Sequence, residues 1–218
     1  MNLPENYIVE RRAVKHARLR VNEDESVNLF VPLDFTDVNI QDLLEKKASW
    51  IESKQRFFSQ KTKILLRRNE ILLLGNRFTY YYSTKYKNKV VVNYDSKTIQ
   101  AQRNLLDPVI QEHWIKNEAI KYIRKRVETL SVNLFLPYNK LYIRSQKRKW
   151  GNCSKEKNLS INWKIYKAPS FVIDYVIVHE LCHTILMKHT VKFQTLLKSH
   201  YPDCDNAQSW LDKYGNSL

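Results

Sequence analysis

Residues 170–190 read SFVIDYVIVHELCHTILMKHT, and the placing of His179, Glu180, His183 and His189 in this stretch decides how the rest of the chain is read. The pattern HExxH lies on an apolar run of helical character. Residues four apart share one face of a helix, about one turn apart, so His179 and His183 can offer two imidazoles to a single ion. Glu180 follows the first histidine directly and flanks such a metal, the position of a base acting on metal-bound water. A third protein ligand leaves one position of a tetrahedral zinc open, which separates a catalytic site from a structural one. His189 is the candidate for that ligand. On an unbroken helix, six residues carry a rise of ~9 Å and a rotation of ~240°, which would turn His189 away from the ion. The helix is therefore expected to stop near Met187 or Lys188, with Thr190 capping a new helix from Val191 whose Phe193, Leu196 and Leu197 recur at helical spacing. His200 and Cys182 compete as third ligands. Cys182 lies ~300° around the helix from His179, so it points beside the metal face and is read as a small packed hydrophobe.

The 218 residues carry 37 Lys or Arg against 22 Asp or Glu, a formal charge of +15. Residues 170–218 hold four cations (Lys188, Lys192, Lys198, Lys213) against five acids (Asp174, Glu180, Asp203, Asp205, Asp212), so the metal region is near neutral. The excess belongs to clusters at 11–20, 61–68, 121–126 and 144–149. Such clusters suit an anionic partner, non-specific nucleic acid before a membrane, although lysine-rich surfaces are often only solvated faces. Three cysteines without a CxxC pair, and an N-terminus MNLPENYIVERR without an apolar core, point to a reducing cytoplasm and no disulfide scaffold. No apolar run approaches the ~18 residues of a membrane span.

Along the chain, YIVERRAVKHARLRV and SVNLFVPL flank the acidic turn NEDES and read as a hairpin. Residues 38–58 change to helical period through Ile40, Leu43, Leu44, Lys47, Ile51 and Phe58. Strands return as ILLLG, RFTYYYS, KVVVNY and TIQAQ between residues 71 and 102, with turns at Gly75-Asn76, Lys87-Asn88 and Asp95-Ser96. Asp107-Pro108 starts a helix to about Leu130, the carboxylate as N-cap and proline where its missing N–H costs nothing. LYIRS and the alternating Leu159, Ile161, Trp163 and Ile165 read as strands, and Asp205 to Tyr214 as a last helix capped by Gly215. Between those strands lies RKWGNCS with Gly151, one of only three glycines. It either lets an edge strand approach the site closely or is an ordinary hairpin glycine.

With these residues in hand, the chain resembles the YgjP-like family of zinc metallopeptidases, relatives of the SprT and WLM proteins. The likeness runs nearly full length, through LLEKKASWI, RKWGNCS, INW, the KAPS turn, IDYVIVHELCH and KHTVKF. It implies one zinc held by His179, His183 and His189, Glu180 as catalytic base, and hydrolysis of a peptide or protein substrate. Trp150, Gly151 and Asn152 become the candidate substrate-binding residues, with an extended peptide added as a strand along the 150–163 edge. The expected fold is α+β, a strand-rich N-terminal half with one helix (1–105) followed by a zincin-like region (106–218) whose small sheet packs on the HExxH helix. Lys188 stands where the family usually has asparagine. Lysine tolerates a left-handed turn less, so the break before His189 is expected in another geometry at Met187 to His189. Asp174 and Asp203 are candidate carboxylate partners for the histidines, and His200 and Tyr201 candidate oxyanion stabilisers. The contrasting possibilities are a nucleic-acid-associated module with a closed, four-ligand structural zinc in which Glu180 is dispensable, and a protease recruited to DNA by its basic scaffold.

Overall fold

The structure, a computed structural model, describes residues 3–22, 24–59 and 62–218. The chain divides into two compact units, Met1–Lys63 and Ile64–Leu218.

In the first unit, strands β1 (Tyr7–Arg11), β2 (Arg18–Val21) and β3 (Val27–Val31) form a sheet of order β1-β3-β2. β3 takes the centre because Val27, Leu29 and Val31 alternate into the core and are fully buried. β2 and β3 form the expected antiparallel pair, but the first apolar run is broken between Arg11 and Arg18, and β1 lies parallel to β3 on its other side. Arg12 N–H donates to the carbonyl of Val31 at the end of β3, so pairing on that edge runs out and the chain crosses over. The NEDES turn includes Glu23, which lies outside the described residues. Helix α1 (Asp37–Ser59) buries Ile40 and Ile51 against this sheet's core. Thr36 Oγ1 accepts from the N–H of Asn39 at its start.

The second unit begins with β4 (Glu70–Leu73), β5 (Asn76–Tyr82), β6 (Val90–Asn93) and β7 (Thr98–Ala101) in the order β4-β5-β7-β6. Gly75 turns between the first two with a φ of 74°, and a Cβ there would lie 2.9 Å from the backbone of Pro169, so both angle and space call for glycine. Helix α2 (Pro108–Asn133) starts as expected. Asp107 Oδ1 accepts from the N–H groups of Val109 and Ile110, a cap of the kind that contributes roughly 0.5–2 kcal/mol. Ile71, Phe78 and Ile99 of the sheet share one core with Ile115, Ala119 and Ile123 of α2 and with Ile173 and Ile177 further on. This common core is why the chain divides at 63/64: β4–β7 cannot be separated from the helices they cover.

A three-stranded sheet follows, with β8 (Leu141–Arg144), β9 (Gly151–Cys153) and β10 (Leu159–Asn162) in the order β8-β10-β9. β10 runs parallel to β8 and antiparallel to β9. The expected strand through Ile165 stops at Asn162. There the side-chain Oδ1 accepts from Lys164 N–H, and Trp163–Lys167 winds into a 3-10 turn that buries Trp163, Ile165 and Tyr166. Helices α3 (Ser170–Cys182), α4 (Val191–His200) and α5 (Cys204–Tyr214) complete the fold. α3 packs against α2, α4, α5 and the β9–β10 hairpin, which is why its sequence is apolar nearly all round. Gly215 follows α5 with a right-handed backbone (φ −55°), not the left-handed cap that glycine suggested. No helix among the described residues is long and apolar enough to cross a membrane.

Candidate metal centre

α3 ends at Cys182, five to six residues before the expected stop. The last turn tightens, with Thr184 N–H donating to Leu181 O and Ile185 N–H to Cys182 O, and the Thr184 hydroxyl also takes the Leu181 carbonyl. The chain then turns sharply at His189 itself, where Thr190 N–H donates back to Lys188 O across a three-residue turn. No residue between His183 and His189 has a positive φ, so Lys188 needs no left-handed conformation. Thr190 occupies the N-cap position of α4, although its hydroxyl makes no capping bond.

These turns bring the three histidines together. His189 Nε2 lies 2.9 Å from His179 Nε2 and 3.1 Å from His183 Nε2. Phe193 of α4 forms the floor, stacked on His183 at 4.4 Å and meeting His179 and His189 edge-on at 5.0 and 4.9 Å. His183 Nδ1–H donates to the carbonyl of Leu186, which leaves its Nε2 as a lone pair aimed at the other two rings. The same carbonyl fixes the ring's orientation, a role that Asp174 and Asp203 were expected to fill. Asp174 instead makes a two-pronged ion pair with Arg126 of α2 at 2.6 and 2.7 Å, and Asp203 accepts from Asn206.

The donor set fits a metal cation. A single in-plane position on each Nε2 must hold either a proton or a lone pair, and His183 already presents a lone pair, so three converging nitrogens at these separations cannot all be satisfied by protons. One cation in place of the shared proton satisfies all three. Their nitrogens lie within 4.8 Å of one another, and His179 Nδ1 is buried with no partner among the described residues. Burial first, then the neighbouring His183 and His189, pull the His179 pKa down to about 4. Burial also lowers His183 against the opposing pull of the Leu186 carbonyl. Both rings are thus held neutral near pH 7, the state that binds metal. Cys182 is fully buried in α3 and His200 ends α4, and neither joins the cluster.

Glu180 stands about 100° around α3 from His179, with its carboxyl against Gly151 of β9. It is 6% exposed, and burial pushes its carboxyl up to about 8, with Lys149 opposing. A Cβ on Gly151 would sit 2.7 Å from Glu180 Cδ, so the missing side chain makes room for the carboxylate. Gly151 has no positive φ, and its requirement is space alone. Cys153, two residues on and facing the same way, has its thiol pushed up to about 11, first by burial and then by Glu180. Asn152 is exposed and pairs with Ser160 in the hairpin. Trp150 is half-buried with its indole against Gly215. Tyr201 donates its hydroxyl to Phe171 O at 2.7 Å and is occupied in a structural bond.

A family model described as YgjP-like, metallopeptidase domain, matches residues 15–214. The chain belongs to the YgjP-like metallopeptidase family. No curated protein matches it. Among solved structures it is similar to the metallopeptidase zymogen jannalysin of Methanocaldococcus jannaschii, at 24% identity and a TM-score of 0.37 over 41% of this chain and 92% of that one. It is also similar to the metallopeptidase zymogen abylysin of Pyrococcus abyssi, at 17% identity and a TM-score of 0.35 over 42% of this chain and 97% of that one.

Two contributors to the centre are not legible in the sequence. Phe193 stands there only as one member of a helical stripe, and nothing in a linear pattern says which face of α4 the histidines would meet. The Leu186 carbonyl is invisible by residue type, since every residue has one.

Proposed function

We propose that the protein is a zinc-dependent peptidase with a HExxH-x5-H site, in which His179, His183 and His189 hold one ion and Glu180 is the general base. The observation that carries this reading is the convergence of three Nε2 atoms, together with a buried carboxyl on the residue that follows His179 and that is not itself one of the cluster. Held by His179, His183 and His189, an ion would supply an activated water and would polarise a substrate carbonyl. Glu180 accepts the proton of the attacking water and returns it to the leaving amine, a transfer that a carboxyl in a largely dry pocket is placed to make. Gly151 keeps that carboxyl in line by leaving it space. Phe193 and the Leu186 carbonyl hold the imidazoles in orientation.

The arrangement of β9 and β10 against α3 supports a zincin-like reading of this half, with β9 as the outer strand beside the site. In the β9–β10 hairpin, Asn162 N–H donates to Trp150 O and Ser154 N–H to Asn158 O. Antiparallel alternation then turns the N–H and C=O of Gly151 and Cys153 away from β10, toward a further strand. A peptide substrate lies there, its backbone paired with Gly151 and Cys153 and Asn152 reaching its side chains.

Chelator-sensitive hydrolysis of unfolded protein substrates, restored by added zinc, tests this function. The Gly151→Ala variant tests the geometry. It is expected to keep its metal and lower kcat by about 100-fold, the cost of misplacing a reacting group by ~1 Å. Activity within a few-fold of wild type, at unchanged metal content, would show that Glu180 has no need of the space that Gly151 leaves.

A further inference from the structure

One of the strongly positive stretches of this chain is the segment that contains β9. Residues 134–169, which contain β8, β9 and β10, hold nine Lys or Arg against a single acid, Glu156. Lys147, Arg148 and Lys149 lead into β9, and Lys155 and Lys157 lie in the turn that leaves it; all five are exposed. None belongs to an ion pair among the described residues. Lys149 and Lys157 act on groups of the site itself, the first on Glu180 and the second on Cys153. A run of like charge with so little compensation costs self-repulsion and raises the local potential, which favours an anionic ligand at this edge.

We propose that the edge strand β9 selects acidic polypeptide segments, with Lys147, Arg148, Lys149, Lys155 and Lys157 pairing with carboxylates on either side of the bond to be cut. This rests on the peptidase reading above and names its substrate class. The occupant is a polypeptide and not a nucleic acid for two reasons. The outward N–H and C=O groups of Gly151 and Cys153 alternate as an extended peptide backbone requires, and a phosphodiester chain has no donors to match them. This edge also carries no row of free rings for stacking bases: Trp150, which leads into β9, is half-buried with its indole against Gly215, and the exposed Tyr142 belongs to β8 at the opposite edge of the sheet, with the Arg144 guanidinium 4.3 Å from its ring.

The test uses the zinc-loaded full chain carrying Glu180→Gln, so that bound peptide is not consumed. Fluorescence anisotropy follows a short labelled peptide rich in Asp and Glu, its Asn/Gln counterpart, and an oligothymidylate of equal net charge. At low salt the acidic peptide is expected to bind about tenfold more tightly than its amide counterpart, the combined effect of several exposed charge contacts. The preference should shrink as salt rises. Adding Lys147→Gln, Arg148→Gln, Lys155→Gln and Lys157→Gln is expected to bring the two affinities within about twofold, since rim charges of this kind act by electrostatic complementarity. Equal affinity for the two peptides, a preference untouched by the four substitutions, or displacement of the acidic peptide more readily by oligothymidylate than by unlabelled acidic peptide would each overturn the proposal. Hydrolysis is read separately on wild-type protein. Chelator-sensitive cleavage with no acidic preference removes this inference and keeps the peptidase, whereas acidic preference without any cleavage does the reverse.

Discussion

Glu180→Gln is expected to leave the fold and the metal content unchanged and to reduce hydrolysis by roughly 10²- to 10⁴-fold, the range that general-base catalysis contributes. The carboxyl is not one of the three converging histidine groups proposed to hold the ion, so the amide would remove no donor from it. Glutamine also matches its shape, which matters because Gly151 leaves just enough space for a side chain of this size. What is lost is the ability to take a proton. The burial that lifts the Glu180 carboxyl toward 8 is opposed by any cation held at the triad, which favours the ionised base in the loaded protein. If the centre were instead a closed structural site, the same substitution would be silent in every assay. Cleavage at wild-type rate on a substrate whose hydrolysis is chelator-sensitive would remove Glu180 from the mechanism.

Loss of His179 or His183 should be felt first in the metal and only then in activity. His179→Ala and His183→Ala each delete one of three protein donors, a larger injury than the ~10- to 100-fold loss of affinity that follows removal of an outer-sphere partner. Purified variants are expected to hold little zinc after dialysis against a weak chelator, while wild type keeps about one ion per chain. Ligand-linked stability should follow. At a free zinc level a hundred times the dissociation constant, binding stabilises the native state by about 2.7 kcal/mol, or roughly 5–10 °C in Tm for a chain of this size. Calorimetry of wild type with and without zinc should show that shift, and the two variants should melt alike under both conditions. A double variant retaining near-stoichiometric zinc would place the metal elsewhere in the chain.

The local signals in this sequence were read more securely than the long-range ones. Helical period placed α1 and α2 within a few residues, and Asp107-Pro108 marked the start of α2 because an N-cap is a property of adjacent residues. The triad was legible for a geometric reason. HExxH fixes two ligands by spacing, and the impossibility of reaching the ion from an intact helix demanded a break before His189. The site of that break was not legible, because it depends on the Thr184 hydroxyl competing for Leu181 O and on the turn closed by Thr190 N–H. Crossing of β1 over to the far side of β3, and the sharing of one core by β4–β7 with α2 and α3, are pairings across many residues that no local window reports. Asp174 illustrates the same limit in the site. Its position in α3 suggested a partner for a histidine, yet its carboxylate meets Arg126, 48 residues away in sequence.

The most direct measurement is anomalous diffraction from crystals of the zinc-loaded protein, recorded on both sides of the zinc absorption edge. The expected result is one anomalous peak per chain, about 2.0–2.1 Å from Nε2 of His179, His183 and His189, with Glu180 outside the coordination sphere and no fourth protein donor. A peak coordinated by His200 or Cys182 in place of His189, or closed by a fourth side chain, would contradict it.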